Sequence, residues 1–207
     1  MIAEAKFWDR IAPKYAKSPI RNMAAYEATM NSVRSRLSGD DRVLEIGCGT
    51  GSTALKLADA VAHITASDIS GGMIDIARSK AREAGVGNVE FTVAPAVEAR
   101  FERECFAAVL GFNILHLVED LPAAVARAHE VLKPGGLYIT KTPCLRQMNP
   151  LLRLVIPVMQ FFGKAPFVAL FKAPDLEALI RQAGFEIVEA RAFDGAPNSW
   201  FVVAHKV

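Results

Sequence analysis

In the stretch "VLEIGCGTG" (43–51), Gly47, Gly49 and Gly51 put three glycines in five positions after an apolar run, and an acid, Asp68 in "ITASDIS", follows at a distance. Bare backbone at the end of a strand lets the chain turn sharply into a helix. It also lets a ligand approach where a side chain would block it. A carboxylate about 20 residues on, closing the next strand, is placed to accept hydrogen bonds from ribose hydroxyls. The chemistry implied is the holding of a nucleoside. A plain strand-to-helix turn with Asp68 as a helix cap is the weaker reading, because the strand, the helix and the acid occur together at the expected distances.

The spacing also bears on which nucleoside. In the nicotinamide and flavin fingerprint the third glycine comes three residues after the second. Here that place holds Ser52, and the third glycine comes early, at Gly51. Glu45, inside the strand, sits where it would help to hold a positively charged amino group rather than a pyrophosphate. A cationic cofactor is favoured.

The elements that must position these residues are legible from the apolar pattern. From residue 42 onward, β-branched runs alternate with helical patterns, as in β-α units that build a parallel sheet. Strands are expected at 42–47, 63–69, 89–94, 106–113 and 137–142. Between the second and third, Met73, Ile74, Ala77 and Ala81 share a helical face that starts after Ser70 and stops at Gly85. Between the fourth and fifth, Asp120 caps a helix carrying Leu121, Ala124, Val125, Ala128 and Leu132, which "KPGG" ends with a turn. After the fifth strand the rhythm changes. Residues 144–172 are apolar, carry Pro150, Pro157 and Pro166, and read as an insertion. A helix through Leu176, Leu179, Ile180 and Ala183 follows, then two strand-like runs, "FEIVEARAF" and "WFVVAHKV", that suggest a terminal antiparallel hairpin.

Composition bounds the answer. The 207 residues, 52% hydrophobic and 22% charged, suit one folded domain. A net charge of +2 is too small a surplus to imply a general nucleic-acid binder from bulk charge alone, and no nucleic-acid partner is expected. The charge is unevenly spread: no acid occurs between Glu130 and Asp175, while Lys133, Lys141, Arg146, Arg153, Lys164 and Lys172 fall in that interval. Cys48, Cys105 and Cys144 are odd in number and widely spaced, so neither a disulfide framework nor a metal cluster is signalled, and a cytoplasmic location is expected. The start "MIAEAKFWDR" has no apolar signal core, and "LVIPVMQFFG" (154–163) falls well short of the roughly 20 residues that span a bilayer.

The segments "FWDRIAPKYAKSP" (7–19), "VLEIGCGTG", "DISGGMIDIAR" (68–78), "NILHLVED" (113–120) and "LKPGGLYIT" (132–140) together resemble the class I S-adenosylmethionine-dependent methyltransferases. Within them the chain is similar to the small-molecule branch, type 11, that includes the ubiquinone and menaquinone biosynthesis enzymes. The resemblance implies an α/β, Rossmann-like fold: a seven-stranded, mostly parallel sheet with a C-terminal antiparallel hairpin and helices on both faces. It further implies a single methyltransferase domain over 1–207, with an N-terminal helical lid (1–41), a cofactor-binding core (42–142), an acceptor-covering insertion (143–173) and a C-terminal helix and hairpin (174–207).

For S-adenosyl-L-methionine as cofactor, the resemblance implies that the loop Gly47 to Gly51, Cys48 included, wraps the methionine part. Asp68 would bind the ribose hydroxyls, Ile69 and Met73 would pack on the adenine, and Asn113 would lie near the sulfonium. Tyr15, on the lid, would approach cofactor or acceptor from above. One departure stands out: in "FTVAPAVEAR" Pro95 occupies the place of the acid that often accepts the adenine amino group, so backbone near Ala94 or Ala96 must take over.

Methyl transfer from a sulfonium relies on proximity, orientation and water exclusion more than on covalent help. If the acceptor is a hydroxyl or protonated amine, a general base helps, and His116 is the best candidate, against the alternative that it packs or orients a loop. His63 and His129 read as structural. "GFNILH" lacks the proline-rich run of enzymes that methylate nucleobase or glutamine amino groups. Cys144 in "TPC" is a weak candidate for the nucleophile of cytosine carbon methylation. The expected acceptor is a small lipophilic molecule, with or without an anionic group. An apolar lid that packs on its own domain is an equal alternative for 143–173, and peripheral membrane contact is a third, because Phe161, Phe162, Phe167 and Phe171 lie among the bases. No metal is expected, and the oligomeric state is not read. Two competing functions remain: an NAD(P)-dependent oxidoreductase, opposed by Ser52, and a catalytically inactive cofactor-binding protein, which Pro95 makes conceivable.

Overall fold

A computed structural model of the chain describes residues 2–97, 101–147 and 151–207. Two helices come first, α1 (Ile2–Ala16) and α2 (Met23–Arg34), the second capped by the Asn22 side chain, which accepts from Ala25 N. The alternation then begins with β1 (Arg42–Ile46), α3 (Ser52–Leu57), β2 (His63–Asp68), α4 (Gly71–Glu83) and β3 (Val89–Val93). It continues with β4 (Phe106–Phe112), α5 (Leu121–Val131) and β5 (Leu132–Pro143). The chain closes with α6 (Leu152–Phe161), α7 (Ala173–Gln182), β6 (Phe185–Ala192) and β7 (Ser199–Lys206). Both expected caps are present: Ser70 Oγ accepts from Met73 N at 3.1 Å and Asp120 Oδ1 from Ala123 N at 2.9 Å. Each satisfies one of the amides a helix start leaves over.

The seven strands form one sheet in the order β3-β2-β1-β4-β5-β7-β6. β7 runs antiparallel to both β5 and β6 and slots between them, so the hairpin inferred from the sequence makes the far edge of an otherwise parallel sheet. Strand alternation divides the apolar side chains between two cores. On one face Val43 and Leu110 pack with Met30 and Val33 of α2, Leu57 of α3 and Ile74 of α4. On the other, Leu44 and Ile46 pack with Val125 of α5 and Leu176 and Ile180 of α7. Helices therefore cover both faces, as expected.

Three expectations change. "KPGG" is not a turn between helix and strand: α5 ends at Val131, and the four residues form an irregular start of β5, where the pairing jumps from Phe106↔Leu132 to Ala108↔Leu137. Gly136 is needed there, since a Cβ would stand 2.8 Å from the Lys133 carbonyl oxygen. Second, α2 is not part of a lid but a layer of the first core, with Ala25, Met30 and Val33 buried. Third, the segment after β5 contains a helix of its own, α6, whose apolar side chains are largely exposed. Pro150 and the side chain of Arg153 lie outside the described residues.

Successive β-α units run outward from β1 in one direction to β2 and β3, and in the other to β4 and β5. Where the strand order reverses, between the carboxyl ends of β1 and β4, open parallel sheets leave a crevice for ligands.

Candidate active site

All three glycines after β1 take left-handed backbone, with φ of 65° at Gly47, 53° at Gly49 and 75° at Gly51. Their surroundings differ. A Cβ on Gly47 would lie 2.5 Å from Ile114, and one on Gly51 would lie 2.8 Å from Phe91 and 2.9 Å from Ala77. Gly49 has nothing nearer than Tyr15, at 3.8 Å. Gly47 and Gly51 thus seat the loop against the protein, while Gly49 turns bare backbone to open space. Lys80 Nζ donates to Thr50 Oγ1 at 2.9 Å and braces the loop from α4.

Asp68 closes β2 beneath this loop. Its Oδ2 accepts from Gly49 N and its Oδ1 from Ser70 N, each at 2.9 Å. A carboxylate offers about four acceptor positions, so two remain for a ligand. Burial raises its pKa, helped by the charge of Asp9, and the amides of Ser70, Gly49 and Ile69 oppose that rise. α1 is fastened to the same spot: Asp9 Oδ1 accepts from Ser70 Oγ at 2.6 Å and from Gly72 N at 2.9 Å, and these bonds hold its carboxyl below the usual range.

The crevice, about 310 Å³, is lined by the loop at Gly47 and Gly49, by Asp68, Ile69 and Met73 after β2, and by Ala94 to Val97 after β3. Asn113, Ile114 and residues 117–120 after β4 form the far wall, and Glu4, Trp8 and Tyr15 of α1 form the cover. Asn113 is one of two non-glycine residues with positive φ among the described ones, at 56°, and its amide donates to the Lys141 carbonyl at 2.7 Å. Asparagine is one of the few residues with a side chain that adopt this left-handed backbone readily. Tyr15 is 49% exposed, and burial of its hydroxyl, with the nearby Asp68 charge, raises its pKa. Pro95 lines the crevice without an N–H to offer, and the Ala94 amide is already spent on the Asp68 carbonyl.

Four of the residues nominated from the sequence do not line this space. The Cys48 thiol is buried in the first core, and burial lifts its pKa, so only its backbone belongs to the loop. Gly51 is turned toward Phe91 and Ala77. Glu45 is fully buried behind the loop. Desolvation raises its carboxyl to about 8, the Ala54 amide donates to it, and its Oε2 has no hydrogen-bond partner. His116 is turned toward β5, where its Nδ1 lies 3.0 Å from Thr142 Oγ1 while its carbonyl accepts from Ala169 N, and burial lowers its pKa to about 4. As a general base it is misplaced and too weakly basic. The sulfur of Cys144 is buried too and its pKa is pushed up to about 11, which removes it as a nucleophile.

Among the described residues none of 143–173 lines the crevice, so the expected covering role of that segment finds no support at this space. The cover comes instead from α1 and from the segment after β4. Trp8, Leu117 and Val118 were missed in the sequence; the spacing of Glu4, Trp8 and Tyr15 on one helix face was the available signal.

A family model described as a methyltransferase domain matches residues 43–136, the span that carries the loop, Asp68 and Asn113. The ubiquinone/menaquinone biosynthesis C-methyltransferase UbiE of Brucella anthropi is 32% identical over 73% of this chain and 66% of its own. The chain belongs to the class I S-adenosylmethionine-dependent methyltransferases. The ubiquinone biosynthesis O-methyltransferase of Azorhizobium caulinodans is similar along more of the length, 29% identical with 97% of this chain and 84% of that one covered. The crystal structure of the [4+2]-cyclase SpnF superposes with a TM-score of 0.80 over 98% of this chain and 94% of that one at 20% identity, which speaks to shared fold alone.

As a methyltransferase the chain is an enzyme whose cofactor is S-adenosylmethionine, and the dehydrogenase reading falls. The reading as an inactive binder has no support among these relatives. Among the described residues that line the crevice Glu4, Asp68, Glu119 and Asp120 are acidic and none is basic, which suits the positive charge of the cofactor.

Proposed function

We propose that this methyltransferase transfers the methyl group of S-adenosylmethionine to a small apolar acceptor held between α1 and the segment after β4. The observation that carries the reading is the wall beside Asn113, where Trp8, Ile114, Leu117 and Val118 present apolar surface next to the loop. The acidic side chains of the lining, Glu4, Asp68, Glu119 and Asp120, have no basic counterpart among the described residues there, which favours an acceptor without negative charge over an anionic one. Relatives named for quinone biosynthesis support a ring-bearing lipophilic acceptor.

When bound, the cofactor supplies a methyl group already activated on a sulfonium. The chain's part is to bind, orient and keep water out. Gly49 gives backbone access for the methionine part, and Glu45, behind the loop, complements its ammonium by giving up the proton that burial holds there. The free acceptor positions of Asp68 take the ribose hydroxyls. Ile69 and Met73 pack on the adenine, whose amino group is received by backbone at Ala96 in place of an acid. Asn113 stands at the reacting end, covered by Tyr15 and Trp8. Neither His116, lowered to about 4, nor Tyr15, raised, is poised to take a proton near neutrality, so acceleration rests on positioning. The three cysteines are unpaired, which supports the expected cytoplasmic location.

Incubation of the protein with cell extract and tritiated S-adenosylmethionine tests the proposal. Label should enter the organic-soluble fraction; label confined to macromolecules would refute it.

A further inference from the structure

α6 carries its apolar side chains on the wrong side for a helix that packs on its own protein. At about 100° per residue, Leu151, Leu154, Val155, Val158 and Phe162 fall on one stripe, the i, i+3, i+4, i+7 pattern that normally faces a core. Here that stripe faces outward: Leu154 is 71% exposed, Phe162 67%, and Phe161 beside them 86%. Gln160, on the inward side, instead donates to the Pro166 carbonyl. A contiguous apolar surface of this kind marks a contact with something else.

The neighbouring charge says what. Lys6, Arg10, Lys14 and Lys17 are all exposed and lie within about 80° of one another around the axis of α1 and its continuation, by the same rise and turn. The side of α1 that holds Glu4, Trp8 and Tyr15 and covers the crevice lies roughly opposite. Arg10 joins the two surfaces, since its Nη2 donates to the carbonyl of Gly163, just past the end of α6, at 2.7 Å. Exposed Lys164 follows at once, and no acid occurs from Val131 to Pro174. Of the acids on α1, Glu4 lines the crevice and Asp9 is bound to Ser70 and Gly72.

We propose that the outward stripe of α6 and the basic face of α1 together dock this methyltransferase on an anionic lipid surface. Apolar side chains bordered by lysine and arginine are what an interfacial helix offers to a bilayer, the first entering the acyl boundary and the second meeting the head groups. Among the described residues no helix is long and apolar enough to cross a membrane, so the contact is peripheral. A second copy of the chain fits less well, because a two-fold contact through the same patch would set bases against bases. This surface serves whichever acceptor the crevice takes, and it places the cover of the crevice between bilayer and cofactor.

Co-sedimentation of the purified chain with phosphatidylcholine vesicles, with and without phosphatidylserine, tests the proposal. Binding should require phosphatidylserine and weaken steeply with salt. Leu154→Ser with Phe162→Ser, and separately Lys6→Glu with Lys14→Glu, should each weaken it at least tenfold while S-adenosylhomocysteine affinity, read by calorimetry, stays within about twofold of the parent as proof of folding. Failure to bind anionic vesicles, or equal binding to neutral ones, would overturn the proposal. So would a lipid-free dimer in sedimentation velocity that the Leu154→Ser, Phe162→Ser variant converts to monomer.

Discussion

The Gly49 amide donates to Asp68 Oδ2 across 2.9 Å, so the glycine loop after β1 and the acid at the end of β2 are a single hydrogen-bonded unit. On the reading proposed above, the acid that would hold the sugar also fixes the backbone that would hold the amino-acid part. The two halves of the cofactor site are therefore coupled.

Replacing that acid should show the coupling. Asp68→Ala removes acceptors for ribose and frees two amides, and losing hydrogen bonds to a charged group costs roughly 1.5–3 kcal/mol each. S-adenosylhomocysteine affinity should fall by at least about tenfold in titration calorimetry, since 1.4 kcal/mol is a factor of 10. Unchanged affinity would remove Asp68 from the site.

The glycines should separate into two kinds. Gly47→Ala drives a methyl group into Ile114, and Gly51→Ala drives one into Phe91 and Ala77, each at a left-handed φ. Strain and overpacking together should lower unfolding free energy by about 2–4 kcal/mol in urea. Gly49→Ala meets no contact shorter than 3.8 Å, so it should cost only the backbone strain, about 1–2 kcal/mol, while S-adenosylhomocysteine affinity falls more than in the other two if they fold.

Most of the sheet was legible because it rests on periodicity. Strands and caps at Ser70 and Asp120 follow from local pattern, and the β6–β7 hairpin follows from two strand-like runs without a helix between them, whereas the placing of β7 beside β5 does not. The errors came where local pattern competes with tertiary placement. "KPGG" reads as a turn because glycine and proline punctuate helices, yet β4 recruits it as an irregular strand edge. Residues 143–173 read as a cover because they are apolar, but apolarity does not say which way a helix will face. His116 is two residues beyond the wall at Ile114, and at that remove the 3₁₀ turn Leu115–Leu117 decides whether a side chain meets the crevice or Thr142. For Glu45 the sequence read its charge; its burial behind the loop needed the alternation of β1 against both cores.

That burial has a pH signature. The folded Glu45 carboxyl keeps its proton up to about 8, whereas its ordinary value is 4.5. The stability it contributes is whole below about pH 4.5 and is lost as pH rises through 8, at up to about 1.4 kcal/mol per pH unit. Glu45→Gln should flatten urea stability between pH 5 and 8. A parent already flat over that interval would contradict the assignment. Binding of the cationic cofactor at pH 7 should release a proton from Glu45, seen as a dependence of binding enthalpy on buffer ionisation that Glu45→Gln abolishes.

His116 acts in the opposite direction. Its folded pKa of about 4 lies below the ordinary 6.5, so its contribution to stability is present above 6.5 and is lost as pH falls toward 4. His116→Asn should lessen the acid sensitivity. It should lower kcat/KM by less than about tenfold, where loss of a general base costs about 10²–10⁴-fold. A loss of that larger size, with an ionisation near 6.5 gone from the pH–rate profile, would reinstate it as the base.

A crystal structure of the protein with S-adenosylhomocysteine tests the central claim most directly. The account predicts density between Gly49 and Asp68, the ribose hydroxyls on the Asp68 carboxylate, the amino group on the Glu45 side of the loop and the adenine over Ile69. A ligand seated elsewhere, or ribose hydroxyls bound without Asp68, would contradict it.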